Sequence, residues 1–268
     1  MIKLGILGVG DLTEKMVRGL LRETGDMEIV LSPRGREKAL ALGREHACRV
    51  MTDNQAVVDA ADIVLVGVRP AQLEALAQEV ALRPDQTLIS VVSGVSVAEL
   101  QRLFGIDRCV RAMLSYAAEI NRSTVALYPA DPGAQALLHV LGNLIVLASE
   151  TEFELATVSA CMNGWFYFLL HDLQHWLEDK GMPPGRARAL VLSSIEDCVA
   201  YARHRDALPI RDLGRSIATP GTFTEQGLEM LALHQANAAW NAACEVVFDA
   251  LLSGSGRGPG SNTTDPAP

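Results

Sequence analysis

Two glycines near the start of the chain raise the first chemical question, Gly8 and Gly10 in Ile2-Lys3-Leu4-Gly5-Ile6-Leu7-Gly8-Val9-Gly10-Asp11-Leu12-Thr13. An apolar run enters a turn almost devoid of side chains, and a helical pattern follows. Gly8 permits the tight turn, and Gly10 lets backbone come close to a bulky anion. The N–H groups and partial positive charge at the helix start would then hold phosphate oxygens. The ligand that suits such a turn is a pyrophosphate, so a dinucleotide cofactor is expected. The third glycine of the pattern is missing, and Thr13 stands in its place.

The next strand should reveal which dinucleotide. In crossovers of this kind an acidic residue about 20 positions past the glycines binds the ribose 2′-hydroxyl of NAD. Here Glu28-Ile29-Val30-Leu31 ends in Ser32-Pro33-Arg34-Gly35-Arg36, with no carboxylate at the strand end. A hydroxyl and two guanidinium groups suit a 2′-phosphate through charge-assisted hydrogen bonds, which favours NADPH over NADH. The plainer alternative is that Arg34 and Arg36 only solvate the start of a surface helix. His171 and His175 stand four apart on a helical pattern, a spacing that could share a metal. No third ligand accompanies them, so no metal is expected.

The first half of the chain alternates short apolar runs with amphipathic stretches. Strands are expected at 2–7, 28–31, 49–51, 63–67, 87–92, 109–113, 124–128 and 144–148. Helices are expected near 13–22, 36–45, 72–79, 97–104 and 133–140. This order predicts an α/β fold with a doubly wound, parallel sheet of the Rossmann type. Ile63-Val64-Leu65-Val66 is apolar on both faces, as expected of a strand covered by helices on both sides. After Glu150 the strand signals stop. Long helical patterns at roughly 153–180, 186–203 and 224–252 predict an all-helical second domain. The expected organisation is therefore a nucleotide-binding domain over 1–150, a helical domain over 151–252 and a disordered tail over 253–268. Gly164 lies in the middle of the first long helix, where close approach of a neighbour or ligand would explain it.

Composition bounds the partners. The formal net charge of −9 argues against nucleic acid, which needs a basic surface. No apolar run suits a membrane span, and the N-terminal run lacks the form of a signal peptide, so a cytoplasmic protein is expected. Cys48, Cys109, Cys161, Cys198 and Cys244 are scattered without a C-x-x-C pair and read as small buried hydrophobes.

Several segments, in order and at similar spacing, resemble the pyrroline-5-carboxylate reductase family. They are Gly8-Val9-Gly10-Asp11-Leu12, Val66-Gly67-Val68-Arg69-Pro70, Val91-Val92-Ser93-Gly94-Val95 and Val110-Arg111-Ala112-Met113. The helical half contributes Gly164-Trp165-Phe166-Tyr167 and Ala218-Thr219-Pro220-Gly221-Thr222-Phe223-Thr224, followed by Gly227-Leu228. The resemblance implies an NAD(P)H-binding domain, an intertwined homodimer built by the helical domain, and an active site between the domains. A larger homo-oligomer built from that dimer is compatible with it. It places Asp11, Leu12, Val68, Arg69, Pro70 and Ser93 around the cofactor, together with Gly8, Gly10, Ser32, Arg34 and Arg36.

The departures gather where that family does its chemistry. Its Lys-Pro is Arg69-Pro70 here, and its Met-Pro-Asn-Thr-Pro is Met113-Leu114-Ser115-Tyr116-Ala117. Its Ser-Gly-Ser-Gly-Pro-Ala-Tyr is Cys161-Met162-Asn163-Gly164-Trp165-Phe166-Tyr167. Its Ser-Pro-Gly-Gly-Thr-Thr, which the resemblance implies would hold a substrate carboxylate, is Thr219-Pro220-Gly221-Thr222-Phe223-Thr224. The expected reaction is hydride transfer from NADPH to the C=N bond of a small cyclic or amino-acid-derived imine other than the family's own substrate.

Tyr116, Asn163 and Thr224 are the candidate hydrogen-bond donors to that imine. Ser115, Trp165, Tyr167, Thr222 and Phe223 are the candidate substrate wall. Tyr167 also reads as a core tyrosine with one satisfied hydroxyl. Three other functions stay open: pyrroline-5-carboxylate reduction itself, a cofactor-binding protein without catalysis, and a β-hydroxyacid-type dehydrogenase. The last would require a catalytic lysine in the helical half, where Lys180 is the only lysine and is poorly placed.

Overall fold

A computed structural model of the chain describes residues 2–23, 27–46 and 48–253. The expected disorder of 254–268 lies outside the described residues. The strands are β1 (Ile2–Leu7), β2 (Met27–Leu31), β3 (Arg49–Val50), β4 (Ile63–Val66), β5 (Thr87–Ser90), β6 (Cys109–Met113), β7 (Ser123–Tyr128) and β8 (Gly142–Val146). They form one sheet in the order β3-β2-β1-β4-β5-β6-β7-β8. Helices α1 (Asp11–Glu23), α2 (Arg36–His46), α3 (Asn54–Asp59), α4 (Pro70–Glu79), α5 (Val97–Phe104) and α6 (Pro132–Leu138) connect them. Then come α7 (Glu150–Asp179), α8 (Pro184–His204), α9 (Ile210–Ile217), α10 (Phe223–Leu233) and α11 (Ala236–Leu252).

Side-chain alternation explains why the central strands are apolar throughout. Leu4, Ile6, Ile63 and Leu65 enter the cluster that also holds Met16 and Leu20 of α1. Their neighbours Leu7, Val64 and Val66 enter a second cluster with Leu73, Leu76 and Leu100. The sheet is thus filled on both faces, and its C-terminal strand ends carry the loops.

The chain divides into two compact units. Of the described residues, those up to Ala160 and those at 248–253 form the first; Cys161–Val247 form the second. The long helix α7 begins in the first unit because a buried cation ties its first turns to the sheet. Arg111 of β6 is fully buried, and its Nη1 donates to Glu150 (2.5 Å) and Glu154 (2.6 Å). Its guanidinium also lies 4.2 Å from the centroid of the Phe153 ring. Removing one member of such a buried set strands a charge and typically costs about 3–5 kcal/mol.

The sheet is parallel from β3 to β6, but β7 runs antiparallel to β6, so the fully parallel expectation fails at that edge. Helix α3 is absent from the sequence reading because Asn54–Asp59 is too short to display a helical period; Asp53 caps it, its Oδ1 accepting from the Ala56 N–H at 2.8 Å. Helix α9 is likewise short. The helix expected over 224–252 is broken at Gln235, which holds a left-handed φ of 53°. Of the five cysteines only Cys48 and Cys109 are buried, so the reading of all five as buried hydrophobes is corrected. Among the described residues no helix is long and apolar enough to cross a membrane.

Candidate functional site

The glycine turn is built from inside. Gly8 holds a φ of +93°, and a Cβ there would meet Val68 Cγ1 at 2.7 Å and the Gly67 carbonyl at 2.9 Å. Gly10 differs, because a Cβ there would find nothing nearer than the Gly67 carbonyl at 4.0 Å. One glycine is thus demanded by packing, and the other leaves room above the backbone. Thr13, at the position of the missing glycine, is buried. Its hydroxyl accepts from the Gly10 N–H (2.8 Å) and donates to the Gly8 carbonyl (2.9 Å). Its methyl fills the space a side chain at Gly67 would need, since a Cβ there would lie 2.2 Å from Thr13 Cγ2. The departure at Thr13 is therefore complemented by a glycine on the adjacent strand end. Leu12 turns its side chain into the core, so only its backbone faces the turn.

The loop after β2 packs directly onto this turn. Gly35 has a φ of +77°, and a Cβ there would strike the Val9 carbonyl at 2.3 Å. That contact fixes Arg34 and Arg36 beside the turn. Arg34 pairs with Glu79 at the end of α4 (2.5 Å), whereas Arg36 is exposed and has no partner among the described residues. Ser32, expected to face a phosphate, is instead fully buried; its Oγ accepts from the Gly8 N–H at 3.1 Å and so braces the turn from behind. Asp11 opens α1 and pairs with Lys38, which also reaches Glu14. These bonds, that to Asp11 first, push Lys38 up to about 12 and hold the Asp11 carboxyl below its ordinary value. Arg69 precedes α4 with its side chain exposed, Pro70 takes the first helical position, and Ser93 is exposed beside Gly94.

Tyr116 starts a short 3-10 turn after β6, and its phenol ring is 54% exposed. The turn is held firmly. Ser115 caps it, its Oγ accepting from the Ala117 N–H, and Asn121 Nδ2 donates to the Gly19 and Val140 carbonyls at 2.9 and 2.8 Å. A Cβ on Gly19 would lie 2.0 Å from the Ala118 carbonyl, so α1 and this turn touch through backbone.

The remaining predicted residues belong to the second unit. Asn163 is exposed on α7 without a hydrogen-bond partner among the described residues. At Gly164 a Cβ would meet no atom of the chain itself within 4 Å. Trp165 is half-buried and packs on Trp240 of α11, ring centroids 6.1 Å apart. Tyr167 is 60% exposed in the single chain. It borders a groove of about 220 Å³ with His171, Gln174 and Arg188. The rings of His171 and His175 stack 6.0 Å apart. At α10, Thr222 is the cap: its hydroxyl accepts from the Glu225 N–H (3.2 Å) and donates to the Thr219 carbonyl (2.7 Å). Phe223, the first helical residue, is 90% exposed, and Thr224 beside it is exposed. A Glu225 carboxylate oxygen accepts from the Gly221 N–H at 2.7 Å, which places negative charge at the helix start.

Residues 3–94 match the family model described as NADP oxidoreductase, coenzyme F420-dependent. Residues 150–251 match the model described as pyrroline-5-carboxylate reductase dimerisation. A curated relative, the pyrroline-5-carboxylate reductase of Pseudomonas aeruginosa, is 25% identical over 264 residues, covering 91% of this chain and 96% of its own. Together these matches support the pyrroline-5-carboxylate reductase family for this chain. Two solved structures carry its fold. The 1-pyrroline-5-carboxylate reductase of Streptococcus pyogenes aligns with a TM-score of 0.83 at 23% identity, over 94% of this chain and 98% of that one. The pyrroline carboxylate reductase of Plasmodium falciparum, solved with NADP bound, aligns with a TM-score of 0.83 at 18% identity and the same coverage.

Within this pyrroline-5-carboxylate reductase fold, the sequence reading missed four side chains that shape the candidate sites. Lys38 supplies a further cation beside Asp11; its spacing one helical turn past Arg34 was the available signal. Asn54 is buried, donates to Glu79 at 2.7 Å and leaves its Oδ1 without a partner. Arg111 was legible only as part of a motif, because its partners lie far along the chain. Glu225 was overlooked, although Thr222 followed three residues later by Glu225 is the signature of a capping box.

Proposed function

We propose that this protein is an NADPH-dependent reductase that reduces the C=N bond of a small cyclic imine other than pyrroline-5-carboxylate, working as a homodimer through its helical unit. The family matches support the coarser reading, an NAD(P)H-dependent oxidoreductase acting on a C=N bond. The open space at Gly10, the start of α1 and the exposed Arg36 fit a phosphate-rich dinucleotide. Bound reduced nicotinamide would supply the hydride. The chain's own work is to hold and orient: Gly8, Gly10 and Asp11 at the pyrophosphate turn, Arg34 and Arg36 at the 2′-phosphate, and Val68, Arg69, Pro70 and Ser93 along the neighbouring strand ends.

Tyr116, Asn163 and Thr224 are the donors we assign to the imine and its substituents; none of the three side chains has a hydrogen-bond partner among the described residues. Ser115, Trp165, Tyr167, Thr222 and Phe223 form the proposed wall. An imine already carrying its proton is a good hydride acceptor, so positioning in near-attack geometry accounts for most of the required catalysis. The observation that carries the substrate reading is the start of α10. Phe223 projects there, and the Glu225 carboxylate holds the Gly221 N–H, so a substrate carboxylate would meet a like charge.

The test is NADPH oxidation with pyrroline-5-carboxylate and with the same ring lacking its carboxylate. Faster use of the ring without carboxylate is expected. The second reading, pyrroline-5-carboxylate reduction itself, is favoured by the name of the Pseudomonas aeruginosa relative. It predicts the opposite order. Cofactor binding without turnover of any imine would mark a protein that has lost catalysis.

A further inference from the structure

We infer that Glu79 is an internal competitor for the arginine that reads the 2′-phosphate, and that it sets how strongly the protein prefers NADPH over NADH. The inference rests on the 2′-phosphate reading of Arg34 given above and adds to it a residue outside the nucleotide loops.

Glu79 is the last residue of α4, a poor place for a carboxylate. The C-terminal end of a helix carries partial negative charge and favours cations. Two donors offset the position. Arg34 Nη2 lies 2.5 Å from Glu79 Oε1, and Asn54 Nδ2 donates to Glu79 Oε2 at 2.7 Å. Asn54 is buried and anchored at the start of α3, so it holds the carboxylate in place. Arg34 has no such anchor, and its side chain is 46% exposed. The loop that carries it is fixed by the contact between Gly35 and the Val9 carbonyl. One guanidinium therefore sits within reach of two anions, one built into α4 and one that would arrive on the ribose.

The two cofactors differ in what they ask of this pair. NADPH brings a phosphate dianion, which recruits Arg34 and must displace Glu79 while also meeting its repulsion. NADH brings only hydroxyls and leaves the pair intact. Glu79 thus lowers affinity for NADPH and leaves NADH almost untouched. It also keeps the arginine ordered when no phosphate is present. Half-exposed ion pairs are worth about 0.4–1 kcal/mol at the upper part of their usual range, so releasing Arg34 should tighten NADPH by about two- to fivefold.

Calorimetric dissociation constants for NADPH and NADH, measured on the full chain at one fixed salt concentration, test this. Glu79→Gln keeps an acceptor for Asn54 and removes the charge. It should tighten NADPH about two- to fivefold and leave NADH within error. In an Arg34→Ala background the same substitution should tighten NADPH by clearly less, since only direct repulsion is then relieved, and should leave NADH unchanged. An unchanged NADPH constant in Glu79→Gln overturns the inference, as does equal tightening with and without Arg34, which would mark a general field effect. Arg34→Ala alone separates the two levels. Selective weakening of NADPH sustains the 2′-phosphate reading even if Glu79 proves silent. Equal weakening of both cofactors ends that reading and the inference with it.

Discussion

Two turns start helices with glycine and threonine, and the chain treats them in opposite ways. Before α1, Thr13 points inward and closes the turn on itself, bonding to the part-buried Gly10 N–H and the buried Gly8 carbonyl. Before α10, Thr222 caps from outside, and nothing lies within 4 Å of the space above Gly221. Charge follows the same division. The acidic residues in the first turn of α1, Asp11 and Glu14, are matched by Lys38 and Arg18, so an anion could still approach the glycine turn. Glu225 at α10 has no cation partner among the described residues. A helix start is a phosphate site only when its neighbouring side chains leave it neutral or positive, and here one start does and the other does not.

The largest expected effects are at the glycines. Gly8→Ala should cost about 2–5 kcal/mol, from about 1–2 of left-handed strain and about 1–3 of overlap with Val68 and Gly67. Gly221→Ala has a φ of +85° but open space, so only the strain of about 1–2 kcal/mol remains. Urea midpoints of the two variants check this, and equal losses would erase the distinction between a packed and an open turn. The threonines come next. Thr13→Ala strands the buried Gly8 carbonyl and should cost about 1–3 kcal/mol, whereas Thr222→Ala loses a surface cap worth about 1 kcal/mol.

The smallest effect is electrostatic. Lys38 lowers the Asp11 carboxyl by hydrogen bond and charge; at Glu14 burial works upward, but bonds from Lys38 and Arg18 outweigh it. Groups with depressed pKa values stabilise above the ordinary carboxylate range and lose that contribution as pH falls through the folded value. Lys38, raised to about 12, contributes fully below the ordinary lysine value and loses its contribution as pH rises through about 12. Stability from this corner should be flat between about pH 5 and 10 and fall on acidification. Lys38→Met should lessen that acid loss in urea midpoints measured from pH 3 to 7.

Much of this was legible before any coordinates. The strands at 2–7 and 109–113 and the helix at 97–104 follow from apolar runs and an amphipathic stretch, and β1, β6 and α5 keep those bounds. The turn at Gly8 was readable because no other residue suits that φ. Ser32 was misread because nothing local tells a hydroxyl facing a ligand from one bracing the turn 24 residues earlier. Arg111 with Glu150 and Glu154, and Arg34 with Glu79, are contacts between distant segments, which a pattern of neighbours does not encode. Tyr167 was assigned to a core by its apolar surroundings in sequence, yet those surroundings are themselves exposed on α7 in the single chain.

Under the proposed function, the start of α10 repels a substrate carboxylate through Glu225. The most direct measurement is the ratio of kcat/KM with NADPH for 1-pyrroline and for pyrroline-5-carboxylate. We predict a ratio above one that falls in Glu225→Gln, where the repelling charge is removed. A ratio well below one, unmoved by Glu225→Gln, would contradict the account and leave proline synthesis as the function.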